Sequence, residues 1–211
     1  AAMEKQTMFI HYHTNVQVPH SDAVNEEDCV TEIQGDIMSF IGDSENATKI
    51  GYLYVDYLDI QRAKLAGIPV WSLFDYSSDM GVQFYDDAWD KDLNTYHADI
   101  TEAMLGENAL LIGSIYIEPA YRGHKLALAV IDLSIQNFGH GCCVAVIDPH
   151  PHIGKIPPEL SEAEIQSGIA GLSSYFARMG FRPIPNSSLM ALDLDQVRPT
   201  LADVGWQGGP A

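Results

Sequence analysis

Ile115-Tyr116-Ile117-Glu118-Pro119-Ala120-Tyr121-Arg122-Gly123-His124-Lys125-Leu126-Ala127 joins a β-rich run to a helix through a proline. The run Ala109–Ile117 opens with Ala109-Leu110-Leu111-Ile112, apolar on both faces as in the middle of a sheet, and Pro119 ends it. Over Arg122–Phe138 apolar residues recur at steps of three and four, at Leu126, Val130 and Leu133 and at Ala127, Ile131, Ile135 and Phe138. This spacing predicts a helix with a broad buried stripe, stopped by Gly139. A helix start carries N–H groups without intrahelical partners and a partial positive charge, so its first turn reads as a phosphate cradle. The chain around it is acidic. Against a net charge of -18 and only 11 Lys plus Arg, the grouping of Arg122, His124 and Lys125 in one turn marks a local anion site.

Working outward from this stretch, Cys142–Ile147 is apolar throughout and too short for a helix, so it reads as a second buried strand. The right-handed crossover rule sets it beside Ala109–Ile117 and parallel to it, with the helix start at the carboxyl end of the first strand. Residues 148–158 read as a loop. Ser161-Glu162-Ala163-Glu164 has the capping-box pattern that opens a helix running to about Met179, and Gly180 supplies its left-handed stop. Arg182–Pro185 and Leu189–Leu194 form a last hairpin. Upstream, Thr7–His13 is extended, and residues 19–28 are a polar loop or the start of a short helix. Cys29–Ile41 and Lys49–Ile60 are antiparallel strands joined by the turn-rich Gly42–Asn46. Residues 61–68 are a short helix or an irregular link, and Ser72–Asp92 one helix or two short ones. The fold class is α/β, in the α+β sense of a mixed sheet, with helices on both faces.

Arg122, Gly123 and Ala127 after the Ile-Glu-Pro strand end, together with Ser174-Tyr175-Phe176-Ala177-Arg178-Met179-Gly180-Phe181 downstream, resemble two motifs of the GCN5-related N-acetyltransferase (GNAT) superfamily. The first is the family's (Arg/Gln)-x-x-Gly-x-(Gly/Ala) acyl-CoA motif, and the second its late Tyr-x-x-x-Gly-Phe. Lys125 stands where the central glycine is expected; its side chain either swings out or offers its ammonium to the ligand. Phe176 takes the tyrosine's place, and Tyr175 sits one residue earlier, about 100° around the helix. The resemblance covers roughly residues 110–195. It implies a single GNAT-like domain over residues 1–195, with the cofactor-binding part at 109–195, followed by a flexible tail at 196–211. It further implies that the sheet splays between the cofactor strand and the next parallel strand.

The resemblance implies acetyl-CoA as co-substrate. Its diphosphate would sit on Arg122, Gly123, His124, Lys125, Leu126 and Ala127, and its pantetheine arm on the main chain of Ile115 and Ile117 as an added strand. Acyl transfer then needs a neutral amine, a stabilised oxyanion and a proton for the departing thiolate. Glu118 is the candidate base, with Asp148 as the alternative, and Tyr175 the candidate proton donor. For each, a non-catalytic reading stands beside the catalytic one: a strand-end acid for Glu118, a packing aromatic for Tyr175.

The abundant acids, among them Asp56, Asp59, Asp75, Asp79, Asp86 and Asp87, favour a small cationic amine such as a polyamine or an aminoglycoside as acceptor, and disfavour nucleic acid. The expected function is N-acetyl transfer from acetyl-CoA to a primary amine in a ternary complex. A non-catalytic CoA-binding protein and a protein or peptide acetyltransferase are the alternatives. His150-Pro151-His152 has no cysteine pair at ligand spacing beside it, and no metal is assigned. Cys29, Cys142 and Cys143 read as buried reduced thiols. No apolar run reaches the length of a membrane span and Ala1-Ala2-Met3-Glu4-Lys5 lacks a secretory core, so the expectation is a cytoplasmic protein without membrane partners, a homodimer being left open.

Overall fold

Three long strands come first and pair in sequence order. The computed structural model describes residues 6–15, 23–41, 46–101, 106–151 and 161–206. Strand β1 (Gln6–Asn15) pairs antiparallel with β2 (Val30–Ile41), and β2 with β3 (Thr48–Leu58). On β2 and β3 the residues Ile33, Ile37, Leu53 and Val55 are buried on one face, while Glu32, Gln34, Tyr52, Tyr54 and Asp56 alternate to the other.

Lys49–Ile60 was expected to be one strand, but extension stops at Leu58. The Asp59 carboxylate accepts from the Arg62 N–H (3.1 Å) and caps helix α1 (Ile60–Ala66), which ends at Gly67 in the left-handed conformation. Helix α2 (Val70–Ser77) follows Pro69. Ser78 in extended conformation ends α2, and its side chain caps α3 (Asp79–Ala88). The two-helix alternative for residues 72–92 is therefore the one observed, with α2 beginning two residues earlier. A small hairpin, β4 (Trp89–Asp90) with β5 (Thr95–Tyr96), was not anticipated. It closes an aromatic cluster in which Trp89 meets Tyr96 edge-on at 4.8 Å and Phe74 meets Phe84 at 5.9 Å.

Strand β6 (Asn108–Ile117) then returns antiparallel to β3, and a single turn of 3-10 helix at Pro119–Tyr121 leads to helix α4 (Leu126–Phe138). Strand β7 (Cys142–Ile147) lies parallel to β6 and is buried along its whole length. Helix α5 (Glu162–Ala177) opens on the capping box at Ser161 and Glu164, and β8 (Arg182–Pro183) and β9 (Met190–Asp193) finish the sheet. Its seven strands run β1-β2-β3-β6-β7-β9-β8 and are antiparallel except for the β6/β7 pair. Helices α4 and α5 contribute to a core on one face with Leu53, Leu110, Ile131 and Phe176, while α1, α2 and α3 pack on the other with Leu58, Leu111 and Val146. Among the described residues the protein is thus a mixed α/β structure of one large sheet with five α-helices. No helix among them is long and apolar enough to cross a membrane.

Cys29, Cys142 and Cys143 are all free and buried. Burial, then the Asp59 charge, pushes the Cys142 thiol up to about 12, and burial raises Cys143 and Cys29 as well. The folded protein is therefore expected to give no colour with a disulfide thiol reagent at pH 8, and all three cysteines to react once it is unfolded. Rapid labelling of the native state would contradict this burial.

Candidate active site

The cleft exists because β6 outlasts its parallel neighbour. Pairing of β6 with β7 ends at Ile112 opposite Ile147, whereas β6 stays paired with β3 as far as Ile117 opposite Gly51. Past Ile112 the β7 side of β6 faces an opening of about 460 Å³ bounded by β6, the loop after Tyr121, the start of α4, Asp148–Pro151 and one face of α5. Main-chain direction on this edge follows from one bond. The Glu118 N–H donates to the Ile50 carbonyl (2.8 Å), toward β3, so by alternation the main-chain groups of Ile115 and Ile117 point into the opening. The Ile117 carbonyl already accepts from Arg122 Nε (2.8 Å), which also places the guanidinium 5.5 Å from the Tyr116 ring centre.

The basic turn expected to begin the helix does not belong to it. Residues 122–125 form a loop, Gly123 has φ 85, and α4 starts at Leu126 with Lys125 as N-cap at φ 61, ψ 20. No side chain caps this helix. The Lys125 carbonyl accepts the N–H groups of Leu128 (3.1 Å) and Ala129 (3.4 Å), leaving the Leu126 and Ala127 amides at the helix mouth, where both residues line the cleft. An uncapped helix start carrying no carboxylate in its first turn suits a bound anion.

Of the residues proposed for the diphosphate, Arg122, Gly123, Lys125, Leu126 and Ala127 border the opening, whereas exposed His124 is outside its lining. The Lys125 ammonium takes the swung-out course: Nζ donates to the carbonyls of Val204 (3.0 Å) and Gly205 (2.7 Å). A non-glycine residue in the left-handed region costs on the order of 1 kcal/mol or more. Two charge-assisted hydrogen bonds to carbonyls, each worth about 1.5–3 kcal/mol, are enough to offset it.

Tyr175 borders the cleft from α5, and Phe176 beside it is buried in the core. Burial raises the Tyr175 hydroxyl above its usual pKa, and the Leu128 main chain lowers it in part. With its pKa raised above the usual phenol value, the Tyr175 hydroxyl keeps its proton at neutral pH. Gly168, Gly171 and Leu172 share this face of α5 with Tyr175 and line the opening. Their spacing of three, one and three residues was present in the sequence, but only the position of α5 gives it meaning: Gly171 faces open space, and the missing side chain at Gly168 lets Pro151 approach.

Glu118 is exposed and lies outside the cleft lining, its carboxylate accepting from the Tyr116 hydroxyl (3.3 Å). Asp148, the alternative base, is part of the lining, and its Oδ1 accepts the His150 N–H (3.0 Å). On the opposite face of the sheet, where α1–α3 do not cover it, Tyr52 stacks on Tyr116 at 5.2 Å and meets Tyr54 at 5.6 Å. Asp56 follows on the same face, directly across from Glu32 on β2. Burial, and second the Glu32 charge, pushes Asp56 up to about 7, and no cation pairs with it among the described residues. The sequence offered Asp56 only as one acid among many, because its partial burial depends on neighbouring strands. His152, half of the His-Pro-His pair, lies outside the described residues, among which no cluster of three metal-ligating side chains occurs.

No family model matches this chain, and no curated protein matches it. Among solved structures, a crystal structure of a single-substitution mutant of KacT superposes with a TM-score of 0.42 at 12% identity, covering 78% of this chain and 72% of that one. A likeness this slight carries no argument about chemistry.

Proposed function

We propose that the protein is an N-acyltransferase that uses an acyl-CoA, acetyl-CoA in the simplest case, to acylate a primary amine. The observation that carries this reading is the meeting of an unpaired parallel-strand edge with an uncapped helix start at the mouth of one cleft. Coenzyme A has a complementary shape: an extended amide-bearing arm that pairs like a strand, and a diphosphate that needs amide donors. The resemblance of Arg122, Gly123 and Ala127 to the GNAT motif supports the same ligand.

In the reaction the amine lone pair attacks the thioester carbonyl carbon, and the carbonyl oxygen takes up negative charge. An N–H on the β6 edge near Ile115 suits that oxyanion. The C–S bond then breaks, the thiolate takes the Tyr175 proton, and the amine's extra proton passes to a carboxylate. Products are the amide and free coenzyme A. Asp148, in the cleft wall, is better placed than Glu118 to take that proton directly, whereas Glu118 would act across the Tyr116 hydroxyl or through water. The tyrosine-and-carboxylate face around Tyr52, Tyr54 and Asp56 suits a cationic amine, polyamines and aminoglycosides included, since rings and carboxylates both attract an ammonium.

Free-thiol release from acetyl-CoA over a panel of polyamines, aminoglycosides and amino-acid amines tests the proposal, the protein's own buried thiols adding no background. Release is expected with at least one cationic amine. Tyr175→Phe should lower turnover by about a hundredfold, at the weak end of general-acid effects because water can stand in. Asp148→Asn should lower it more than Glu118→Gln. Thermal stabilisation by acetyl-CoA without thiol release from any amine would instead identify a CoA-binding protein without turnover. No stabilisation by any acyl-CoA would remove the reading altogether.

A further inference from the structure

We propose that the carboxyl-terminal turn at residues 200–206 is a clasp that shapes the helix start of the cleft, with Lys125 as a positioning residue that acts on its own main chain and not on the ligand. Only the ligand arm of its test rests on the acyl-CoA reading above. Lys125 occupies a left-handed cap that glycine adopts without penalty and lysine does not. Its ammonium donates to two main-chain oxygens 79 and 80 residues away, those of Val204 and Gly205.

The same Val204 carbonyl also accepts from the guanidinium of Arg178, the C-cap of α5. One oxygen thus ties together the two helices that form the cleft walls. The turn is itself well anchored. Val204 is buried in the core beneath α4, and Leu201 and Trp206 pack against that core. Thr200 and Asp203 bond each other reciprocally, Thr200 N–H to Asp203 Oδ2 at 2.8 Å and Asp203 N–H to Thr200 Oγ1 at 3.3 Å. Just upstream, Arg198 pairs with Asp132, a buried carboxylate on α4. A flexible tail was the expectation for residues 196–211; those from 198 to 206 make these contacts, and 207–211 lie outside the described residues.

Two substitutions separate a clasp from a direct phosphate ligand. Lys125→Met removes the ammonium and keeps a side chain that resists the left-handed cap. Lys125→Gly removes the ammonium and the resistance together. Amide hydrogen exchange without ligand is the first readout. In K125M, exchange at residues 126–129 and at 201–206 should rise together by about tenfold, and in K125G only at 201–206. Calorimetric titration with coenzyme A is the second. K125M should bind about tenfold more weakly than the parent, and K125G within about threefold of it.

Parental exchange at 126–129 in K125M would overturn the proposal. Equal losses of affinity in K125G and K125M, with a shallower salt dependence in both, would overturn it as well, because they would put the ammonium on the phosphate. A parent protein that binds no coenzyme A refutes the function proposed above, while the exchange experiment still decides the clasp.

Discussion

Gly51→Ala should destabilise the protein by about 3 kcal/mol and lower its melting temperature by roughly 10 °C. A Cβ built on Gly51 would stand 2.2 Å from the Tyr116 carbonyl oxygen and 3.2 Å from Ile37 Cδ1. The isoleucine tip can rotate; the oxygen cannot. It belongs to β6, which pairs with β3 at Tyr52 opposite Tyr116 and at Gly51 opposite Ile117. Relief of the clash therefore means pushing β6 away from β3 at the segment that forms the cleft edge, so acyl-CoA affinity should fall along with stability. Gly171→Ala is the matched control. Its Cβ would meet nothing within 4 Å, and alanine is the better helix former, so stability should hold or rise slightly. Thermal and denaturant unfolding of both variants checks the pair. A G51A protein that melts with the parent would show that the β3/β6 contact has slack.

Asp56→Asn should stabilise the protein at pH 8 and leave it unchanged at pH 4. The folded pKa, pushed up to about 7 mainly by burial and further by Glu32, lies above the ordinary carboxylate value of about 3.9 that applies to the unfolded chain. The folded state therefore binds the proton more tightly. Below about pH 4 the carboxyl is protonated in both states and carries no penalty. Between pH 4 and 7 the unfolded state ionises first, so stability falls as pH rises, and above 7 the full penalty is present. Partial exposure screens the charge, and we expect a gain of about 2 kcal/mol at pH 8, a rise of several degrees in melting temperature. Thermal unfolding at the two pH values reads it directly; an equal shift at both, or none at pH 8, would show that Asp56 is solvated. If this face receives the amine, the same substitution should also raise the KM for the acceptor, which links a destabilising residue to a use.

The order of elements was legible because each carries its signal within a few residues. The all-apolar Cys142–Ile147 needed no partner to be read as a central strand, and the Ser161/Glu164 capping box announced the start of α5, which ends at Ala177 and not near Met179. Boundaries failed where a local cap competes with periodicity. The apolar stripe of α4 allows a start at Arg122, but the left-handed conformation of Lys125 sets it at Leu126. Likewise Ile60 continues the apolar pattern of β3 and is claimed instead by the helix that Asp59 caps. The hairpin of Trp89–Asp90 with Thr95–Tyr96 escaped because strands of two residues have no period to detect.

The candidate site was legible as a motif and not as an arrangement. Residues 115–127 were marked as a strand end and a cradle, and the structure gathers most of them around one opening. It leaves His124 and Glu118 outside and brings in Asp148, His150 and the glycine face of α5. By itself the sequence determined which segments extend and which coil, since propensity, periodicity and capping act over neighbours in the chain. Only the tertiary structure decided that the Lys125 ammonium bonds the Val204 and Gly205 carbonyls, and that Asp56 is partly desolvated beside Glu32. Both depend on groups brought together from distant parts of the chain: the hydrogen-bonding reach of an ammonium and the dielectric around a carboxyl are fixed by what packs beside them.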